Sequence, residues 1–196
     1  MAKRTRTEAE KTRGELLHHA RHLFETEGFK GATVSRIVQS AGITKGALFH
    51  HFKTKEDLFQ DIWTQLQAEM DAQARANAQA SRSRTDPYSA FLAGCRTYVE
   101  WTSRRDYQQI VLIDGPSVLK RTGWYEAEND LGRRNVSAGV RYLARKGIVA
   151  EHRVRPLTVL VHSALNGAGF AMANGEEGIT VDSVLEAFEA VLKSLR

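Results

Sequence analysis

The stretch from Thr33 to Phe52, TVSRIVQSAGITKGALFHHF, constrains the fold of this chain more than any other. Its first half places apolar residues at the i, i+3, i+4, i+7 spacing of one helical face, after a threonine of the type that caps a helix start. These apolar residues are Val34, Ile37, Val38 and Ala41. Gly42 ends that helix, and Thr44 can cap a second one. Leu48 and Phe52, four residues apart, then face back onto the first helix, so the pattern predicts a helix-turn-helix unit.

The outward face of the second helix carries hydrogen-bond donors, a bare backbone position and flat rings. Its residues are Thr44, Lys45, Gly46, Phe49, His50 and His51. Lys45 can reach a phosphate or a guanine edge, while Thr44 and the first helical N–H groups can hold a phosphate oxygen. Gly46 leaves room for backbone to approach a duplex, at a cost in helix propensity of roughly 1 kcal/mol relative to Ala. We therefore interpret this helix as a DNA recognition helix.

The segment TVSRIVQSAGITKGALFHHFKTKEDLF resembles the DNA-binding signature of the TetR family of transcriptional regulators. The resemblance implies an all-α fold, in which an N-terminal three-helix bundle with the helix-turn-helix precedes a larger helical regulatory and dimerisation domain. We expect the DNA-binding domain at residues 1–55 and the ligand-binding and dimerisation domain at residues 56–196. The rest of the chain is similar to the family only in its length and helical layout.

The resemblance also implies residue roles. TKGALFHHF fits the recognition-helix pattern, although family members commonly have Tyr at the position of Phe49, whose missing hydroxyl removes one phosphate hydrogen bond. His51 and Lys55 match positions that contact backbone phosphates in relatives, and Arg36 lies near the expected DNA backbone or is an ordinary surface charge. The predicted DNA-binding residues are Thr33, Arg36, Thr44, Lys45, Gly46, Phe49, His50, His51 and Lys55.

Charge is distributed unevenly along the chain. The net charge of +5 arises from +6 through Lys55 and −1 in the remainder. A positive surplus is usually a solvated face, but one confined to the helix-turn-helix segment favours a phosphate partner. The partner expected from this charge is double-stranded DNA.

No segment reads as a secretory signal or a membrane span, and we expect a cytoplasmic protein. Cys95, the only cysteine, rules out an intrachain disulfide and is typical of an inert buried thiol, with a redox sensor as the alternative. His18 and His22 are spaced to share a helix surface, which permits zinc in principle. Without a completing carboxylate or Cys, solvent-facing histidines are the favoured interpretation, so we predict no metal and no cofactor.

An apolar stripe from Leu16 to Phe24 predicts a scaffold helix that ends at Gly28. Later helices are expected from Glu56, from Pro87, over Tyr107–Ile113 with a stop at Asp114–Pro116, over about Thr122–Lys146, from Pro156 and from Thr180. The end of the helix from Glu56 loses its apolar periodicity and is predicted to fray. The last two helices carry small residues and a broad apolar stripe, which favours either a protomer core or, as the family resemblance implies, a homodimer.

An effector cavity needs aromatic walls with a few polar atoms. The predicted ligand-binding residues are Tyr98, Trp101, Trp124, His162, Asn166 and Phe170, each of which is alternatively a core or dimer-contact residue. This mixture favours a small apolar or aromatic effector.

Two other functions are compatible with parts of the sequence. An enzyme is disfavoured, because Ser163 and His162 point to different helical faces and no carboxylate pair or metal-ligand cluster is evident. A non-specific architectural DNA binder is compatible with the basic N-terminal segment, but a large neutral-to-acidic remainder favours a regulated dimer. Together with the family resemblance, the sequence predicts a homodimeric repressor that an effector releases from a palindromic operator.

Overall fold

The computed structural model describes the backbone of residues 2–119 and 121–193, and the side chains of residues 8–119 and 132–193. Within these ranges all regular elements are helical. The α-helices are α1 (Ala2–Gly31), α2 (Val34–Ser40), α3 (Lys45–His51), α4 (Lys55–Ala80), α5 (Tyr88–Thr102), α6 (Gly115–Val118), α7 (Arg121–Arg145), α8 (Val154–Ala173) and α9 (Val181–Lys193). A π-helix, Tyr107–Asp114, precedes α6, and a 3₁₀ turn, Glu151–Arg153, precedes α8. The predicted all-α fold is confirmed.

The chain divides into two compact units. One contains Met1–Leu66 with Arg105–Lys120, and the other contains Gln67–Arg104 with Arg121–Arg196. The expected boundary after residue 55 divides the chain at one point. The structural boundary lies inside α4 instead, and the first unit also includes the later segment Arg105–Lys120. Among the described helices, none combines the length and apolar composition that a bilayer crossing requires.

The first unit has a core of apolar side chains from α1, α2, α3 and the first half of α4. The largest are Leu16, Phe24, Ile37, Leu48, Leu58, Phe59, Ile62 and Trp63. The rings of Phe24, Phe29 and Phe59 lie 5.2 to 5.8 Å apart between centroids, the spacing of favourable aromatic pairs. The apolar stripe of α1 therefore serves as the predicted scaffold for the helix-turn-helix.

The segment from Asp106 to Val118 packs against α1 in this unit. Arg21 forms an ion pair with Asp106 at 2.8 Å, and Asp114 Oδ2 accepts the N–H of Phe29 at 2.8 Å. Gly28, the residue before Phe29, has φ +69°, and a Cβ there would meet Gln109 Nε2 at 3.2 Å. Only glycine suits both the backbone angle and the close approach.

The helix predicted to stop at Asp114–Pro116 does not stop there. Helical backbone continues through α6 to Val118, because proline is tolerated in a first helical turn, where its missing N–H breaks no bond. The same rule applies to α8, which begins at Val154 and holds Pro156 in its first turn.

The second unit is built from α5, α7, α8, α9 and the second half of α4. The buried members of its core come mainly from α5 and α8, with others from α7 and α9. They are Tyr88, Phe91, Cys95, Val99, Val140, Leu143, Val149, Val154, Val161, Leu165, Leu185 and Leu192. The predicted helix positions agree with the observed bounds within a few residues, since each apolar stripe marks the face that is buried.

The end of α4 differs from the expectation that it frays. The helix continues to Ala80, and Asn77 Nδ2 donates to Thr97 Oγ1 of α5 at 2.9 Å. A Cβ on Gly94 would stand 3.7 Å from Ala78 Cβ, so the two helices are in close contact. Tertiary packing of small residues supports a helical end that lacks an apolar stripe of its own.

Candidate DNA-binding surface and effector cavity

The two helices of the helix-turn-helix are held by side-chain caps and by their turn. Thr33 Oγ1 accepts the N–H of Arg36 at 3.4 Å, and Thr44 Oγ1 accepts the N–H of Ala47 at 3.2 Å. Gly42 has φ +64°, and the N–H of Ile43 donates to the carbonyl of Val38 at 3.0 Å. This is the glycine-ended helix stop that the sequence predicts, and it orients α3 relative to α2.

The outer face of α3 is exposed as expected from its sequence. Lys45, Gly46 and His50 are exposed, and Phe49 keeps 49% of its surface in solvent. His51 is half-buried, with its ring edge-on to that of His50 at 5.4 Å between centroids. A lysine, a histidine and an uncovered ring therefore share one surface, which can donate to base edges or phosphates and contact a thymine methyl group.

In the protein without DNA, no other residue packs closely against Gly46. A Cβ at this position would meet only Thr44 Oγ1, at 3.8 Å, which is an ordinary contact. The fold itself would thus accept alanine, which has the higher helix propensity. The absence of a side chain matters only if another surface approaches this backbone.

Arg36 and Lys55, two further predicted DNA contacts, also bind within the protein. Arg36 forms an ion pair with Glu27 at 2.5 Å. Lys55 Nζ donates to the carbonyl of Phe29 at 2.7 Å and lies 3.9 Å from the centre of its ring. Burial lowers the pKa of Lys55, against the opposing charges of Glu56 and Asp114. An ammonium has three N–H donors, so Lys55 can donate to Phe29 and still contact a phosphate oxygen. The phosphate contact of Lys55 stays a prediction.

A cavity of about 350 Å³ lies within the second unit. Its wall is mostly apolar and comes from α4, α5, α7 and α8. The lining residues are Met70, Ala74, Arg75, Ala78, Gln79, Arg82, Ala90, Phe91, Gly94, Cys95, Tyr98, Gly132, Asn135, Val136, Ala138, Gly139, Tyr142, Arg145, His162 and Leu165. This volume and composition lie within the range of small-molecule sites.

Glycines on α7 let its backbone come close to the side chains of the cavity wall. A Cβ on Gly139 would stand 2.3 Å from Phe91 Cδ2, and a Cβ on Gly132 would stand 2.6 Å from His162 Nε2. The two glycines are seven residues apart and so share one helical face. Their spacing in the sequence is a signal of this close packing, and neither glycine is among the residues predicted above.

His162 is the buried polar residue of the cavity wall, with 6% of its surface exposed. Its Nε2 has no hydrogen-bond partner among the described residues, and neither has the buried Nε of Arg133. Burial, with a smaller contribution from the charge of Arg133, lowers the pKa of His162 to about 4. The imidazole is therefore neutral at pH 7.

The cavity includes two of the six predicted ligand-binding residues, Tyr98 and His162. Tyr98 Oη donates to Asn166 Oδ1, so Asn166 orients the hydroxyl group of the tyrosine. Trp101 is buried elsewhere, where its Nε1 donates to Gln73 at 2.9 Å. Phe170 is half-buried outside the lining. The side chain of Trp124 lies outside the described residues.

Cys95 also belongs to the cavity wall. Burial raises the pKa of its thiol to about 12, which keeps it protonated and unreactive. This agrees with the interpretation as an inert thiol. Among the residues that the structure describes, no group of three or more His, Cys, Asp or Glu is arranged to hold a metal ion.

Two family profiles match most of the chain. The family described as bacterial regulatory proteins, tetR family, matches residues 16–62. The tetracyclin repressor-like C-terminal domain matches residues 88–195.

Relatives match over most of the chain or over about a third of it. The HTH-type transcriptional repressor AcnR of Corynebacterium glutamicum is 34% identical over 93% of this chain and 93% of its own length. AcnR of Corynebacterium diphtheriae is 29% identical over 96% and 95%. The HTH-type transcriptional regulator AcrR of Shigella flexneri is 43% identical, but over only 32% of this chain and 29% of its own length.

Solved structures give the same result at the level of the fold. A TetR-family transcriptional regulator from Pectobacterium atrosepticum superposes with a TM-score of 0.79 at 32% identity, over 97% of this chain and 96% of its own. A transcriptional regulator from Pseudomonas aeruginosa has a TM-score of 0.77 at 17% identity, over 95% and 90%, and supports the fold alone. These similar proteins are transcriptional regulators and not enzymes.

Proposed function

This chain belongs to the TetR family of bacterial transcriptional regulators, and we propose that it is a homodimeric repressor that a small apolar or aromatic effector releases from a palindromic operator. DNA binding and transcriptional regulation follow from the family. The repressor role, the dimer, the operator symmetry and the effector are the proposal.

The observation that carries the proposal is the exposed face of α3. Lys45 and His50 point away from the core that Leu48 anchors, and Thr44 caps the N-terminus of the helix at the same surface. In this arrangement α3 enters the major groove, where Lys45 and His50 contact base edges. Thr33, Arg36, Thr44, His51 and Lys55 then contact the phosphate backbone, and Gly46 and Phe49 lie against the duplex.

The dimer is supported by apolar side chains that the protomer leaves in solvent. On α8, Leu160 is 64% exposed and Val159 is 40% exposed, and Val191 on α9 is 60% exposed. Small neighbours on α8, Ala164 and Gly167, are exposed as well and leave room for another helix. A two-fold pairing of α8 and α9 would cover these side chains in a four-helix bundle.

A two-fold dimer accounts for a palindromic operator. Its two α3 helices would read equivalent half-sites about 34 to 36 Å apart, or one further helical turn away. A ligand that favours a different spacing of the heads would then weaken operator binding without touching DNA.

The effector site of the proposal is the cavity of the second unit. Tyr98 and His162 contact the ligand there, and Asn166 positions the tyrosine hydroxyl. The second half of α4 lines the same cavity through Met70 and Ala74, and only residues 52–54 separate α4 from the recognition helix. A change in α4 therefore offers a continuous path along the chain from ligand to DNA.

The test of this function is operator selection followed by titration. The intact protein should select one palindrome from random duplex DNA, and Lys45→Ala and His50→Ala should each weaken binding to it by about 1 to 3 kcal/mol. Arg141→Ala, which removes an exposed charge from α7, is the control and should bind like the parent. Sedimentation should find every variant dimeric. Parental affinity in both α3 variants would show that another element occupies the groove.

A further inference from the structure

The cavity wall includes one buried nitrogen atom without a hydrogen-bond partner among the described residues. This atom is Nε2 of His162. An imidazole Nε2 donates in one of its two neutral tautomers. Buried polar atoms normally have partners, so this end of the cavity is arranged for a group that accepts hydrogen bonds.

Charge on the cavity wall has one sign in the part of the chain that is described. The lining includes Arg75, Arg82 and Arg145 and no aspartate or glutamate. Arg75 is neutralised by Asp71 at 2.6 Å. Arg82 and Arg145 are exposed, and no described carboxylate lies within ion-pair distance of either, so the described part of the lining carries net positive charge.

The remaining wall excludes a wholly polar ligand. Met70, Phe91, Val136, Tyr142 and Leu165 present carbon surface to the cavity. A ligand must therefore bury an apolar skeleton and also satisfy donors and a positive field.

We propose that the effector is a small organic acid, with an apolar or aromatic skeleton against the hydrocarbon wall and a carboxylate that accepts hydrogen bonds from His162 and lies in the field of the cavity arginines. This inference rests on the proposed function, because it names the chemical class of the ligand of the same cavity. The acid group supplies the partner that His162 Nε2 lacks among the described residues, and the skeleton excludes water, which strengthens the charged contacts.

The experiment compares each acid with its neutral isostere. Calorimetry with the intact protein at pH 7.5 uses 2-naphthoate against 2-naphthamide, and octanoate against octanamide. At least one acid should bind about tenfold tighter than its amide, as expected for a hydrogen bond that becomes charge-assisted. Equal affinities within both pairs, or no binding of either acid at millimolar concentration, overturn the inference.

Variants locate the preference in the cavity. The double variant Arg82→Gln, Arg145→Gln should lose the preference for the acid. The double variant Arg141→Gln, Arg155→Gln removes the same charge at exposed positions outside the lining and should keep it. His162→Leu should weaken acid binding, while His162→Gln, which retains an N–H donor, should restore part of it. An acid preference that survives both the arginine double variant and His162→Leu places the anion elsewhere and overturns the inference.

A separate operator titration distinguishes this inference from the proposed function. Acids that bind the cavity without weakening operator affinity contradict the release mechanism and leave the ligand class standing. Amides that release the operator as well as the acids do contradict the ligand class and leave the release mechanism standing.

Discussion

At the scale of single residues, Gly46 is where the requirements of folding and of DNA binding diverge. Gly46→Ala should raise the free energy of unfolding by up to about 1 kcal/mol, because alanine loses less backbone entropy in a helix. The added Cβ faces open space in the free protein, where its nearest neighbour is Thr44 Oγ1 at 3.8 Å. In the complex it should meet the duplex and weaken operator binding by about 1 to 3 kcal/mol, the usual cost of overpacking.

Gly14→Ala is the matched control for this change. Gly14 lies exposed inside α1, and a Cβ there meets nothing within 4 Å. The control should gain stability in urea denaturation and keep its operator affinity in a fluorescence anisotropy titration. If Gly46→Ala also keeps its affinity, the backbone of α3 does not approach DNA as closely as proposed.

His162 gives the protein a pH dependence whose sign follows from its environment. Burial and Arg133 lower its pKa to about 4 in the folded state, against 6.5 for an ordinary histidine. Between these values the unfolded chain binds a proton that the folded chain does not, so stability falls as the pH drops from about 6.5 towards 4. Above pH 6.5 both states are neutral and the effect vanishes.

His162→Gln tests this assignment because glutamine does not titrate. Urea midpoints measured from pH 7.5 to pH 4.5 should fall more steeply for the parent than for the variant. The difference between the two curves isolates His162 from the carboxylates that titrate in both proteins. Parallel curves would mean that His162 has the same pKa in the folded and unfolded states.

At the scale of helices, α8 has one face in the protomer core and another in solvent. Leu165 is 3% exposed, whereas Leu160 on the same helix is 64% exposed. On α9, Leu185 and Leu192 are also buried within the protomer, so a charge placed there would test folding and not dimerisation. The solvent face of α8 is the better probe of the proposed interface.

Leu160→Glu should convert the dimer to a monomer. An unpaired carboxylate buried at the interface should weaken association at least about a hundredfold, which is about 2.7 kcal/mol. Ile113→Glu is the control, since Ile113 is an apolar residue of the first unit with 47% exposure. Analytical ultracentrifugation should find a monomer for the first variant and a dimer for the second. A dimeric Leu160→Glu protein would move the interface away from this face of α8.

At the scale of the whole molecule, linkage limits what an effector can do. If an effector weakens operator affinity a hundredfold, saturating operator must weaken effector affinity by the same factor, a coupling of about 2.7 kcal/mol. We expect effector titrations with and without operator DNA to show this reciprocal shift. An effector that binds free and DNA-bound protein equally well would have no role in release, however tightly it binds.

Elements whose stability is local could be predicted from the sequence. Threonine caps, a glycine stop and an apolar spacing of three and four residues depend on neighbours along the chain, so α2 and α3 could be predicted nearly to the residue. The apolar stripe of α1 and the exposed face of α3 follow from the same helical periodicity. The family, and with it the all-α class, came instead from the resemblance of one segment to a known DNA-binding signature.

Contacts between residues that are distant in sequence could be known only from the tertiary structure. Asp114 joins the first unit through the N–H of Phe29, and Lys55 contacts the carbonyl of Phe29. The wall of the cavity exists because Gly139 lets α7 approach Phe91 and Gly132 lets it approach His162. Trp101 was one of the predicted ligand-binding residues, but it is buried against Gln73 outside that wall. Periodicity shows that a residue is buried, but only packing between helices determines whether it faces a core or a cavity.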